Sequence, residues 1–289
     1  MFTIENNQLK VIIDTKGAEL QSIFHKSFQL EYMWNADPAF WSKRSPVLFP
    51  IVGTVKDNKY LYDNKSYHLE RHGFAREMEF AAYNQQVDFI SFLLKSNETT
   101  LKNFPFAFEF RVSYQLHENS LKTTYHILNT SDHDIYFSVG GHPAFKLPLA
   151  EGTAYSDYYL EFDKNENLLR WPISAGGLIE KNPIPFLENT KILPLNKELF
   201  LQDALVFKHP ASSSVSLRSK KTTHGLNFDF PGFPYLGIWA AKNADFVCIE
   251  PWCGIADSVD ADQQLIHKEG IIQLETGKEF ERSWEVRLF

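Results

Sequence analysis

The sequence predicts an all-β protein, an antiparallel β-sandwich, and three observations carry that prediction. Short alternating or β-rich runs arrive about every 8–12 residues along most of the chain. No repeated strand–helix–strand rhythm interrupts them. Aromatic residues, at 15% with 25 Phe and 12 Tyr, supply the side chains that pleated surfaces bury best.

In chain order the runs are "QLKVIID" (8–14), "KYLYDNKSYHLE" (59–70), "FEFRVSYQLHENSLKTTYHILNTSDHDIYFSVG" (108–140), "DYYLEF" (157–162), "SVSLRSK" (214–220), "LGIWAAK" (236–242) and "DFVCIEP" (245–251). The turn residues "DNK" split the second run into a hairpin, and "HENS" splits the third. Two short helices are expected. One is "DPAFWSK", with Asp37 as N-cap and Pro38 at the first position; the other is "NKELFLQDAL". "FLENTKILPLNKEL" reads as a loop. No low-complexity linker or internal repeat divides the chain, so residues 1–289 are expected to form one domain.

Apolar residues make up 44% of the chain, enough for a sizeable core, and the net charge of −7 argues against nucleic-acid or anionic-membrane partners. No apolar run approaches the roughly 18 residues of a membrane helix. The start "MFTIENNQLK" lacks the features of a signal peptide, so a cytoplasmic protein is expected. Cys248 and Cys253 lie five apart, too few for a disulfide framework and outside any metal-site motif, so both are expected reduced and structural. His68 and His72 have the spacing of a helical zinc pair. "SYHLERHG" reads as strand and turn, however, and four strand residues span roughly 13 Å, too far to share one ion. No metal is expected.

Nucleophile-elbow, phosphate-loop and dinucleotide motifs are absent. Three stretches stand out instead. "ERHGFAR" (70–76) places two arginines around a histidine after a strand, and it also suits a solvated turn. "VGGHPAF" (139–145) places two glycines before His142 and a proline after it. Glycine admits a bend or a close backbone approach, and Pro143 restrains His142 to extended backbone. "CIEPWCG" (248–254) ends an apolar strand on Glu250. An unpaired buried charge is costly, so a partner or a polar rim is implied.

Taken in order, "RSPVLFPIVG", "RHGFAR", "GGHPAF", "QDALVF" and "CIEPWCG" resemble the aldose 1-epimerase (galactose mutarotase-like) superfamily, in particular its LacX-like branch. The resemblance runs to "GKEFERSWEVRL" and implies the supersandwich fold. It also implies interconversion of the α and β anomers of an aldohexose by acid/base ring opening, without metal or organic cofactor. Matched residue by residue, Glu250 would be the base, His142 the acid, and His72 a donor to a ring or anomeric oxygen. Their ordinary pKa values, about 4.3 for glutamate and 6.5 for histidine, suit such roles. Asp203 would hold a sugar hydroxyl. Arg44 and Arg71 would be hydroxyl donors, and Trp252 would offer an apolar face to the sugar or belong to the core.

"RHGFAR" is the form shared with hexose-6-phosphate epimerases, so Arg44, Arg71 and Arg76 could clamp a phosphate. The interleaved Glu70, Glu77 and Glu79 could instead neutralise them, which favours a neutral hexose. The expected partner is thus a small sugar, an aldohexose or hexose phosphate, acted on by a monomer or homodimer. Two other classes stay open. One is a sugar-binding or sensing module without catalysis; the other is a glycoside hydrolase using Asp203 and Glu250.

Overall fold

Strands dominate a computed structural model that describes residues 1–289. A nine-stranded antiparallel sheet runs in the order Ile184–Pro194, Tyr158–Arg170, Ser214–Ser219, Leu226–Asp229, Glu279–Leu288, Ser120–Asn129, Phe108–His117, Phe89–Lys95, Ala81–Gln85. Its central hairpin shows why these residues choose strand. From Phe108 to Leu116 the apolar Phe108, Phe110, Val112, Tyr114 and Leu116 turn inward, while Glu109, Arg111, Ser113 and Gln115 turn outward. A six-stranded sheet has the path Leu205–Lys208, Tyr235–Trp239, Phe246–Cys253, Val139–Gly141, Val47–Leu48, with Ala144–Lys146 also paired to Phe246–Cys253. The two sheets contribute to a common cluster of 69 buried residues, joined by a four-stranded N-terminal sheet. A second cluster of nine residues, including Trp252, Val206, Ile179 and Ala256, gathers around the six-stranded sheet.

Local expectations meet the structure unevenly. The first hairpin forms between Lys59–Tyr62 and Lys65–His68, and Asp63 and Asn64 alone make the turn with φ of 49° and 57°. The Asp37 carboxylate accepts from Ala39 N as an N-cap should, but "DPAFWSK" completes a single turn rather than a helix. Its Trp41 is drawn instead against Trp239 and Phe246. The second expected helix shrinks to a 3₁₀ turn at Lys197–Phe200, capped by Asn196, and the left-handed backbone of Asp203 (φ 85°) follows it. "FLENTKILPLNKEL" is mostly strand rather than loop. Ile184–Pro194 forms the outer edge of the large sheet, where register shifts and polar side chains blur its alternation. A six-residue α-helix at Glu98–Asn103 was not anticipated; Asn97 and Thr100 form its capping box. No helix is long and apolar enough to cross a membrane.

Candidate active site

The strand Phe246–Cys253 is buried along its whole length, and its alternate residues Cys248, Glu250 and Trp252 share one face. Its neighbours set what stands beside each. On one side Gly140 pairs with Trp252 and Ala144 with Cys248, in a single antiparallel register. That register places His142 opposite Glu250. On the other side Gly237 pairs with Glu250, Tyr235 with Trp252 and Trp239 with Cys248. The glycines of "VGGHPAF" therefore serve close approach rather than a bend, and neither has positive φ. A Cβ on Gly140 would lie 2.8 Å from Trp252 Cδ1, and one on Gly141 would lie 2.6 Å from the Tyr125 hydroxyl. Gly237 makes room for the other end of the same indole, with its Cβ position 2.4 Å from Trp252 Cζ2.

His142 Nε2 lies 3.2 Å from Glu250 Oε2. Burial governs both groups. It pushes the His142 imidazole down to about 3, with Arg71 and Arg76 adding to the effect. It also pushes the Glu250 carboxyl well above its ordinary value, with Asp203 reinforcing the shift and Arg71 opposing it. Burial thus disfavours charge on either member of the pair.

His72 faces His142 edge-on, with ring centroids 5.8 Å apart. Gly53 N–H donates to His72 Nδ1 at 3.1 Å, and His72 N–H donates back to Gly53 O at 2.8 Å. With Nδ1 accepting, the proton of the neutral ring must sit on Nε2, making that nitrogen a donor. Burial, then His142 and the arginines, hold this imidazole far below its ordinary pKa. The posture requires left-handed backbone at His72 and Gly73, each with φ of 69°. Gly73 has no alternative, because a Cβ there would meet Phe49 O at 2.4 Å. His68, by contrast, is exposed on its hairpin and paired with Glu70, away from His72.

These groups line a cavity of about 340 Å³ together with Arg71, Arg76, Asp203, Trp41, Trp239, Trp252, Ile173 and Ile179. Small-ligand clefts are typically about 300–1,000 Å³. Arg71 reaches both Asp203 carboxylate oxygens at 3.4 Å, and Asp203 also accepts from Ala204 N. Arg76 donates to Arg71 O and has no carboxylate within ion-pair distance. Glu70 and Glu77 act on Arg76 only through space and form no ion pair with these arginines. Glu77 is taken by Lys16 and Lys43, and Glu70 by His68. The Trp252 indole is buried, and its N–H acts on the Glu250 carboxyl two residues away on the same face.

Seven of the eight residues singled out from the sequence converge here: Glu250, His142, His72, Arg71, Arg76, Asp203 and Trp252. Arg44 does not. Its guanidinium is spent on Gln21 O, Gln21 Oε1 and Asn35 O beside a separate cavity. Two tryptophans were missed. Trp41 packs over His142 with ring centroids 4.9 Å apart, and Trp239 meets it edge-on at 5.5 Å. For Trp239 a signal existed: an isolated strand glycine, Gly237, marks a close approach on that same face.

A model of the aldose 1-epimerase family matches residues 1–273. The chain belongs to the aldose 1-epimerase family. It is 36% identical over 287 residues to protein LacX of Lactococcus lactis subsp. lactis, covering 95% of this chain and 96% of that one. The solved structure of a galactose mutarotase related enzyme from Lactobacillus acidophilus shares 39% identity. It superposes with a TM-score of 0.92 over 100% of this chain and 97% of the other. A galactose mutarotase-like protein from Lactobacillus casei has 30% identity and a TM-score of 0.94, with both chains fully covered. As a member of that family, the chain has the antiparallel β-sandwich its strand rhythm predicts.

Proposed function

We propose that the protein is an aldose 1-epimerase that interconverts the α and β anomers of an aldohexose without a cofactor. The observation that carries this reading is the cross-strand pair: His142 Nε2 stands 3.2 Å from Glu250 Oε2 at the wall of the cavity. The reaction needs a proton taken from the anomeric hydroxyl O1 and one given to the ring oxygen O5. Those oxygens share one carbon, so acid and base must stand side by side rather than across a wide cleft. Starting from the tautomer with Glu250 as carboxylate and His142 protonated, Glu250 takes the O1 proton. The C1–O5 bond breaks, and O5 takes the His142 proton. The aldehyde is then flanked by a protonated Glu250 and a neutral His142, the form that burial favours. After rotation about C1–C2 the two transfers reverse on the other face of the carbonyl, and the starting tautomer returns. One proton on the pair suffices for the whole cycle. The sugar's own hydroxyls, donating to the carboxylate, stabilise the charged tautomer when the cavity is filled.

His72 Nε2–H is a fixed donor for the oxygen on which charge develops, and its neutral state costs the site no extra charge. Asp203 and Arg71 offer an acceptor and a donor to sugar hydroxyls, while Trp41, Trp239 and Trp252 supply apolar faces for the C–H side. The proximity of an imidazole to Glu250 favours epimerisation over hydrolysis by two carboxylates, in which the histidines would have no role.

A phosphorylated hexose is a second reading, favoured by Arg76. Its guanidinium has no carboxylate partner, and its buried Nε has no acceptor. Coupled assays of freshly dissolved α-anomers of glucose, galactose and their 6-phosphates decide between the two. Faster turnover of a 6-phosphate would support the second reading. Failure to accelerate any of the four would leave a binding module rather than an enzyme.

A further inference from the structure

Cys248 has neighbours that its place in the sequence did not indicate. One ligand atom each from His142, Cys248 and Glu250 fall within 4.8 Å of one another, and all three residues are buried. The strand geometry explains the grouping. Cys248 and Glu250 are alternate residues on one face, His142 stands opposite Glu250, and the residue opposite Cys248 is the small Ala144. No bulky side chain across the strand pair separates the thiol from the imidazole.

We propose that His142, Glu250 and Cys248 form a site for a zinc-class cation, Zn²⁺ or Cd²⁺, whose binding switches the proton-transfer pair off. An imidazole nitrogen, a carboxylate oxygen and a thiolate sulfur are a zinc donor set, with bonds of about 2.0–2.3 Å in tetrahedral geometry. The 3.2 Å between His142 Nε2 and Glu250 Oε2 already suits two ligands on one ion, so only the sulfur must close in. The charge also balances. The Glu250 carboxyl and the Cys248 thiol each release a proton to solvent as the dication enters, so the buried site gains no net charge. His142 and Glu250 line the 340 Å³ cavity, which gives the ion its route and leaves the fourth position facing the sugar's place. Cys253 is also buried but is not part of the cluster. Inhibition follows because the ion occupies the lone pairs of both acid and base, a consequence that rests on the epimerase reading; the site itself does not.

Co²⁺ titration of the purified, metal-stripped protein tests the site directly, since a thiolate ligand gives a near-ultraviolet charge-transfer band. The band is expected in the wild type and in Cys253→Ala, and absent in Cys248→Ala. Cys248→Ser, nearly isosteric, serves if the alanine variant folds poorly. Zn²⁺ affinity by calorimetry should fall in these Cys248 variants by more than the roughly 10–100-fold that loss of an outer-shell partner costs. Mutarotation should be blocked by Zn²⁺ and restored by EDTA. No binding, binding without the band, or unchanged Zn²⁺ affinity in Cys248→Ala would each overturn the site. A thiolate band with mutarotation unaffected would uphold the site and count against the epimerase roles of His142 and Glu250.

Discussion

The cavity beside Arg44 is roughly twice the volume of the one beside Glu250, about 730 against 340 Å³. In the larger one the polar groups are largely committed to the protein. Arg44 spends both terminal nitrogens on Gln21 and Asn35, leaving only its buried Nε without a partner, and the Glu31 carboxylate accepts from Ser22 Oγ, Ile23 N and Met33 N. Asp245 is held by Lys197, and Asp37 caps Ala39. In the smaller cavity the capacity is unspent. His142 Nδ1 and Arg76 Nε have no partners, and four ionisable groups, His72, Arg76, His142 and Glu250, are displaced from their ordinary pKa values by burial. Volume does not separate the two regions; uncommitted hydrogen-bonding capacity does.

The sharpest way to break this contrast is to remove one polar group from each side. Glu250→Gln keeps shape but loses basicity, and kcat should fall by about 10²–10⁴-fold while sugar binding persists. Arg44→Ala should lower stability by about 1–3 kcal/mol through lost hydrogen bonds and leave turnover per folded molecule nearly intact. A large loss of kcat in Arg44→Ala, measured on protein shown to be folded, would erase the distinction between the cavities.

Arg76 gives the next largest effect and sharpens the chemistry of the smaller cavity. If its free guanidinium receives a phosphate, Arg76→Ala should raise KM for a hexose 6-phosphate by about 10–100-fold, the worth of one charge-assisted hydrogen bond. KM for the free sugar should change little. Equal effects on both substrates would return the site to a neutral hexose.

Much of the smaller cavity was legible because its chemistry is written in two short strands. "GGHPAF" and "CIEPWCG" each carry side chains that a strand interior does not tolerate unless something faces them, and antiparallel pairing brings the two into register. Arg44 misled because its own neighbours say nothing of the strand Leu20–His25, whose Gln21 carbonyl captures it from 23 residues away. Trp41 was hidden for a similar reason: it reads as part of a helix, but long-range aromatic packing claims it after one turn. Cys248 gave no sign of its company because its ligand-bearing neighbour His142 lies across the strand pair. The sheet edge Ile184–Pro194 escaped because edge strands with bulges lose the alternation that identifies their interior counterparts.

A smaller effect belongs to pH. His72 has its folded pKa held far below the ordinary 6.5, so below that pH the unfolded chain binds a proton that the folded protein excludes. Its contribution to stability is therefore present above about pH 6.5 and is lost as pH falls, with a slope of at most about 1.4 kcal/mol per unit. Asn tolerates the left-handed backbone, and its side-chain oxygen can accept from Gly53 N–H. His72→Asn should thus lose less stability than the wild type between pH 7 and pH 5, by about 1–2 kcal/mol in urea titrations. An unchanged difference would mean that His72 is protonated in the folded state, contrary to the donor role assigned to it.

The most direct measurement is a kinetic double-mutant cycle on the cross-strand pair, with kcat for mutarotation determined for Glu250→Gln, His142→Asn and the double variant. Because one shared proton serves the whole cycle, each single change should cost about 10²–10⁴-fold, and the double should be little worse than either single. Multiplicative losses, or a His142→Asn variant that is less stable but turns over normally, would contradict the claim that His142 and Glu250 act as one acid/base unit.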